Sequence, residues 1–239
     1  MSYVALIPAA GAGARMLAGT PKQSGIPKQY LPLAGRTLLY HAIRCVARSP
    51  VATVFVVLAP DDTLFAAQDW SEFEGRLAPL YCGGATRRES VQNGLVAAMA
   101  AVDPDDWVLV HDAARPCLPH ADLARLIAEV KDDPVGGLLA VPVAETVKRV
   151  DKSVAGAPRV AGTEDRELLW LAQTPQMFRA GLLGDALRSA VGSVTDEASA
   201  VERLGLQPRL VAGSRRNLKV TYLDDLAIAE SLLSTGAGS

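Results

Sequence analysis

The sequence contains no Cys-x-x-Cys pair. Its three cysteines, Cys45, Cys82 and Cys117, lie far apart. That argues against a zinc knuckle or a redox dithiol, and three free thiols fit a reducing compartment. Nor is there a basic excess: 24 Lys and Arg stand against 26 Asp and Glu, a net charge of −2. Nothing therefore points to nucleic acid, and a phosphate ligand must be met by locally placed cations. No run approaches the roughly 20 apolar residues of a membrane span. The apolar start from Tyr3 to Ala10 lacks a basic n-region and runs into glycines, so no signal peptide is expected. Repeats and low-complexity tracts are missing too. These absences together predict a cytoplasmic protein with neither membrane nor nucleic-acid partners.

What is present is ordinary globular composition, with 49% hydrophobic and 21% charged residues in 239. That length suits one α/β domain and suffices for a sizeable core. Short apolar runs at Tyr3–Pro8, Thr53–Ala59, Leu80–Cys82, Trp107–Val110, Gly137–Val143 and Leu210–Ala212 read as buried strands. Between and after them, helical spacing marks Thr37–Arg48, Thr86–Val102, Ala121–Val130, Ala180–Ala190, Glu197–Leu204 and Tyr222–Leu233, with a capping box at Thr86 and Glu89. This alternation predicts an α/β fold with a Rossmann-like, mostly parallel sheet flanked by helices. Residues 1–239 are read as a single domain. Within it, 144–166 breaks the pattern, mixing Thr, Lys, Val, Pro and Gly with no long apolar run. Two readings are open for it: a projecting β-arm directed at a partner subunit, or a plain surface loop.

The chemistry-bearing residues follow the strands. Pro8-Ala9-Ala10-Gly11-Ala12-Gly13-Ala14-Arg15-Met16 leaves the first strand. Gly11 and Gly13 let backbone N–H groups approach a phosphate, and Arg15 adds a forked cation. A dinucleotide fingerprint would need a third glycine where Met16 stands, and the Walker pattern is missing. A glycine turn alone is more often structural; Arg15 and the lysines beyond it shift that balance. Pro27-Lys28-Gln29-Tyr30 places a lysine behind a proline near the loop mouth, and Pro21-Lys22-Gln23 nearly repeats it. Spacing does not choose between Lys28 and Lys22. In Gly83-Gly84-Ala85-Thr86-Arg87-Arg88-Glu89-Ser90, the glycines can admit a flat base and Ser90 can read its edge; ordinary helix capping is the other reading. His111-Asp112-Ala113-Ala114-Arg115-Pro116 follows a strand, where open α/β sheets hold ligands. Asp112 can face a phosphate-bound Mg²⁺ or a ribose, or can pair with Arg115; His111 reads as a packing residue. Thr195-Asp196-Glu197 reads as a helix cap with acidic first-turn residues. Asn217-x-Lys219-x-Thr221 can deliver a further lysine to phosphate.

Taken in order, Pro8-Ala-Ala-Gly-x-Gly-x-Arg-Met16, Pro27-Lys-Gln-Tyr30, His111-Asp-Ala-Ala-Arg-Pro116, Gln173-Thr-Pro-Gln176 and Thr195-Asp-Glu-Ala-Ser199 resemble the 2-C-methyl-D-erythritol 4-phosphate cytidylyltransferase family, from Ile7 to about Leu226. The resemblance implies CTP and a small polyol phosphate as substrates, Mg²⁺ as cofactor, and a homodimer with interlocking arms. It implies Arg15, Lys28 and Lys219 as the catalytic cations, and favours Lys28 over Lys22. It implies Ala9, Ala10, Gly11, Gly13, Gly83, Ser90, Asp112 and Ala113 as the nucleotide site, and Thr146, Arg166, Thr195 and Asp196 as the acceptor site, with Arg166 serving the neighbouring subunit. Asp112 is its metal candidate, the ion being held mainly by CTP phosphates.

Two departures stand out: extra residues at 20–26, and Ala85 where some members carry an acid. The chain ends soon after the closing helix, so a fused cyclodiphosphate synthase domain is not expected. The alternatives are a ribitol 5-phosphate cytidylyltransferase of the same fold, and a noncatalytic nucleotide-binding regulator.

Overall fold

A computed structural model of the protein describes residues 1–11, 26–48, 50–151, 156–190, 192 and 194–236. Strand β1 (Tyr3–Pro8) is followed by a hairpin of β2 (Pro32–Leu33) and β3 (Arg36–Thr37). Ala34 and Gly35 at its tip both have positive φ, the turn geometry that matches strand twist in two-residue hairpins. Then come α1 (Leu38–Val46), β4 (Val51–Val57), β5 (Leu77–Leu80), α2 (Arg87–Ala98), β6 (Trp107–Val110), α3 (His120–Val130) and β7 (Gly137–Pro142). A small antiparallel pair, β8 (Lys148–Asp151) and β9 (Arg159–Thr163), precedes β10 (Trp170–Arg179), α4 (Ala180–Ser189), α5 (Glu197–Glu202), β11 (Arg209–Ala212) and α6 (Asp224–Gly236).

Seven strands share one sheet in the order β11-β7-β10-β6-β1-β4-β5. Every neighbour pair is parallel except those of β10, which runs antiparallel to both β6 and β7. The two-residue period of a strand divides the apolar side chains between two cores. On one face Ala5 and Ile7 pack with Leu39 and Ile43 of α1 and Leu123 and Leu126 of α3. On the other, Val4 and Leu6 pack with Val91 and Leu95 of α2 and Leu183 and Leu187 of α4. Helices begin where caps allow: the Thr37 side chain accepts from the Tyr40 N–H, and Thr86 and Glu89 form the capping box read from the sequence. Among the described residues, no helix is long and apolar enough to cross a membrane.

The architecture agrees with the predicted α/β class, with three local differences. The third strand lies at Leu77–Leu80 rather than at Leu80–Cys82. The closing helix starts at Asp224, two residues past Tyr222. Most consequentially, β10 was not anticipated. Pro175 and a polar Gln-Thr-Pro-Gln stretch sit inside it, features that argue against an interior strand. The strand accommodates them with a register shift between Ala172 and Gln176, beside a cis Thr174–Pro175 bond. The 144–166 segment holds the β8–β9 hairpin, paired from Lys148–Thr163 to Asp151–Arg159 and largely exposed, apart from the main sheet.

The sheet–helix contact is tight at Gly94, whose added Cβ would lie 2.2 Å from Val57 Cγ2 and 3.2 Å from Leu6 Cδ1. Alanine is the better helix former by about 1 kcal/mol. Overpacking a rigid core costs about 1–3 kcal/mol, and Val57 is fully buried. We expect the packing term to win, so Gly94→Ala should lower the urea-unfolding free energy; a gain in stability would mean the interface yields at that point.

Candidate active site

The chain lays down β1, β4 and β5 outward in one direction, then returns to place β6 on the other side of β1. Strand order reverses between β1 and β6, and a crevice opens at their carboxyl ends. A cavity of about 450 Å³ lies there, lined by the 8–11 segment, Lys28, Ser90, Asp112, Ala113 and Lys219. An added Cβ at Gly11 would meet nothing within 4 Å, so a side chain there would occupy the open space that the loop frames.

The Pro27-Lys-Gln-Tyr30 motif is a fixed turn. Residues Lys28–Tyr30 form one 3₁₀ turn behind Pro27. Gln29 donates from Nε2 to the Ala9 carbonyl at 2.6 Å, and the Tyr30 hydroxyl donates to Asp62 at 2.8 Å. The two side chains that follow Lys28 are thus anchored, and Lys28 itself lines the cavity, its Nζ donating to the Val220 carbonyl. Gly13, Arg15 and Lys22 lie outside the described residues, as do all but Ile26 of the extra residues 20–26.

Asp112 is the electrostatic centre. It is 6% exposed. Arg87 Nε donates to its Oδ1 at 2.8 Å, Lys219 Nζ to its Oδ2 at 2.7 Å, and Arg115 Nε stands 3.9 Å from Oδ2. Burial alone would raise its pKa; Arg87, then Lys219 and Arg115, outweigh burial and hold the carboxyl well below the usual range. Arg87 is itself shared. Its two terminal nitrogens grip Glu197 at 2.7 and 3.0 Å, and Glu197 is 1% exposed. Burial would lower the Arg87 pKa, but Glu197 and Asp112 raise it instead.

His111 is fully buried behind this group. The Asp112 N–H donates to Thr174 Oγ1 at 3.0 Å, and the Thr174 hydroxyl donates to His111 Nδ1 at 3.1 Å. His111 Nε2 meets the Arg115 carbonyl at 3.0 Å. A carbonyl can only accept, so Nε2 carries a proton, and the burial that disfavours a second proton leaves the ring neutral with Nδ1 as acceptor. Burial lowers its pKa to about 4. It packs and orients, as read from the sequence, with both nitrogens engaged.

Gly83 does not line the cavity. Its Cβ would fall 2.2 Å from Ala10 Cβ and 2.8 Å from the Leu58 carbonyl oxygen, so a close backbone approach requires glycine there. Ser90 lines the cavity, its Oγ accepting from the Gly84 N–H at 3.1 Å and donating to the Thr86 carbonyl at 3.0 Å. Thr195 and Asp196 line a second cavity of about 480 Å³, which shares Thr86 and Arg87 with the first. Asp196 caps α5 through the Ser199 N–H and accepts from Gln176 Nε2 at 2.8 Å. Thr146 and Arg166 are exposed and line neither cavity; Arg166 donates to the Ala144 carbonyl at 2.6 Å, across the base of the 144–166 segment.

Sequence reasoning assigned no role to Arg87 and took Glu197 for an ordinary first-turn acid. A signal existed: a cation at the first position of a helix opposes the helix dipole, and so calls for a specific acidic partner.

Among the described residues, no three His, Cys, Asp or Glu side chains cluster to hold an ion, and both Asp112 oxygens already accept from cations. Asp112 can add one carboxylate oxygen to an ion that triphosphate oxygens bring in, the usual habit of Mg²⁺. Burial pushes the Cys45 thiol up to about 11 and the Cys117 thiol up to about 12, and raises that of Cys82, which disfavours the thiolate at all three.

Lysines from chain segments 28 and 219, gathered at the switch point of an open, mostly parallel sheet, mark a nucleotidyltransferase of the α/β class. More narrowly, the chain belongs to the 2-C-methyl-D-erythritol 4-phosphate cytidylyltransferase family, whose model, described as IspD, matches residues 3–235. The enzyme of that name from Dechloromonas aromatica is 55% identical over 232 residues, covering 97% of each chain. The one from Laribacter hongkongensis is 57% identical over 232 residues, covering 96% of this chain and 95% of its own. A crystal structure of a 4-diphosphocytidyl-2C-methyl-D-erythritol synthase superposes with a TM-score of 0.82 at 41% identity, over 98% of this chain and all of the other. The Francisella tularensis cytidylyltransferase superposes at 0.78 with 34% identity, over 97% of this chain and 100% of its own.

The neutral His111 ties folding to pH. Its folded pKa of about 4 lies below the ordinary 6.5, so its contribution is complete above about 6.5 and is lost as pH falls toward 4. Full loss corresponds to about 3 kcal/mol. We expect wild-type unfolding free energy in urea to fall from pH 7 to 5 more steeply than that of His111→Asn; equal slopes would remove His111 as the source.

Proposed function

We propose that the protein transfers CMP from CTP to 2-C-methyl-D-erythritol 4-phosphate and releases pyrophosphate. The observation carrying this reading is the convergence of Lys28 and Lys219 on one cavity beside the 8–11 loop, in a chain of this family. In this reading the acceptor phosphate, with a second pKa near ~6, is largely dianionic at neutral pH and needs no general base. Its oxygen attacks the α-phosphorus in line, and pyrophosphate leaves on the opposite side.

Backbone N–H groups of the loop from Ala10 to Gly13 cradle the triphosphate, while Ala9, whose own N–H goes to the Val57 carbonyl at 2.8 Å, lines the nucleotide site. Arg15, Lys28 and Lys219 offset the charge that grows in the transition state. Gly83 shapes the backbone behind the base slot, Ser90 lines the slot, and Asp112 and Ala113 face the ribose. Asp112 would help hold a Mg²⁺ ion brought with the triphosphate, and such an ion would supply further charge neutralisation. Thr146, Arg166, Thr195 and Asp196 take the acceptor. Residues 1–239 act as one unit, and the 144–166 arm engages the partner of a homodimer, bringing Arg166 to the neighbour's site. Val150 and Val160, exposed on the hairpin, supply apolar surface for that contact. Three unpaired cysteines accord with a reducing cytoplasm.

Pyrophosphate release tests the reading. We expect turnover with CTP plus the methylerythritol acceptor, slower turnover with ribitol 5-phosphate, UTP or ATP, and none without acceptor; equal rates with CTP and ATP would reject the base slot. Lys28→Ala should lose turnover by about 100-fold or more, the scale of one lost oxyanion donor, while Lys22→Ala should not. Arg166→Ala should raise the acceptor KM by roughly 10–100-fold, as for a lost charge-assisted hydrogen bond, with little change in the CTP KM. Mixing Arg166→Ala with Lys28→Ala chains then reports the geometry. If Arg166 acts across the dimer, one site carries both lesions and the other neither, so activity partly returns; no recovery despite subunit exchange would place Arg166 in its own chain's site.

A further inference from the structure

The wall between the two cavities is a chain of four charges: Glu197, Arg87, Asp112 and Lys219. Arg87 lines both cavities and is the joint of the chain. Its fork is spent on Glu197 at 2.7 and 3.0 Å, which leaves only Nε for Asp112, at 2.8 Å on Oδ1. Oδ2 is thereby presented to Lys219 at 2.7 Å. A purely structural salt bridge between α2 and α5 would need only the Glu197 half of this arrangement. The other half fixes which carboxylate oxygen each cavity-lining cation receives.

We propose that Glu197 is a positioning residue for nucleotidyl transfer. By occupying the Arg87 fork, it keeps Arg87 from taking both oxygens of Asp112, and so holds Lys219 in place over the cavity. The inference rests on the role given to Lys219 above. A forked guanidinium prefers two parallel bonds to a carboxylate. Deprived of the Glu197 charge, the Arg87 fork turns to Asp112, and Lys219 loses its seat. Glu197 is itself set for its task. It sits in the first turn of α5, where the helix dipole favours a carboxylate, and it lies in the second cavity's wall beside Thr195 and Asp196.

The test is a double-mutant cycle in the full-length enzyme: wild type, Glu197→Gln, Lys219→Ala and the double variant, assayed by pyrophosphate release. The active fraction of each is fixed by CTP titration. Glutamine keeps the shape of Glu197 and removes its charge. We expect Glu197→Gln to lower kcat per active site roughly 10–100-fold, the scale of a lost charge-assisted bond. The double variant should be no slower than Lys219→Ala alone within about 2-fold, because the two lesions share one pathway. Losses that multiply would overturn the inference and reduce Glu197 to a packing role. So would a Glu197→Gln enzyme with normal kcat per active site. Should Glu197→Gln fail to fold, Arg87→Lys tests the same link, since it keeps a cation beside Asp112 and loses the fork; the same non-additivity with Lys219→Ala is expected, and multiplied losses again overturn it. A neutral Lys219→Ala would remove the role of Lys219 and this inference with it. A wild type without CTP-dependent pyrophosphate release would reject the function itself, a failure visible before any variant is compared.

Discussion

A carboxylate sealed into the mouth of a sheet is the constraint around which the site is arranged. Ionised Asp112 cannot stay at 6% exposure without close cations, since an unpaired buried charge costs several kcal/mol. Its partners come from three places. Arg87 opens α2, Arg115 follows in the same loop, and Lys219 arrives from beyond β11. The Asp112 main chain is held from a fourth, by Thr174 of β10. Each of these elements must dock in register for one side chain to be satisfied. A carboxylate held in this way has its oxygens placed before any substrate enters, which suits the proposed transfer and its reliance on charge placement.

The polar interior of β10 follows the same logic. Gln173 donates to the Ser214 carbonyl at 3.0 Å, and Asn217 donates to Gln173 Oε1 at 3.3 Å and to the Thr174 carbonyl at 2.8 Å. Arg115 donates to the Asn217 carbonyl at 2.6 Å. These amides fasten the 214–217 segment to the sheet immediately before Lys219. A strand built from apolar residues alone would have packed, but it would not have set the direction from which that lysine enters.

This also explains what was legible in the sequence. The apolar strands, the helices with caps and the α/β class rest on local periodicity, and the structure agrees with them. Lys28, Asp112 and the 8–11 loop were recognisable because each follows a strand or a proline, and Lys219 because polar residues alternate around it; all of them line one cavity. β10 was not legible because its polar residues answer to partners about 40 residues away rather than to its neighbours. The Arg87–Glu197 pair joins residues 110 positions apart, a distance over which a single sequence carries no pattern. At Gly83 the close approach of the Leu58 backbone and the Ala10 Cβ, which also demands a missing side chain, was not visible in the sequence.

The segment around Lys219 and Val220 has a consequence for how the enzyme comes into being. The Val220 N–H donates to the Ala114 carbonyl at 2.8 Å, its carbonyl receives Lys28, and Lys219 seats on Asp112. The first of these partners to be synthesised waits 192 positions for its acceptor. On the ribosome, β1, β4, β5 and β6 can assemble early, but the cavity stays one wall short until almost the whole chain has emerged. Contacts that span so much chain form late and slowly. A nascent or truncated chain can therefore own a folded sheet without owning a working site, and the last stretch of translation decides when the molecule becomes an enzyme.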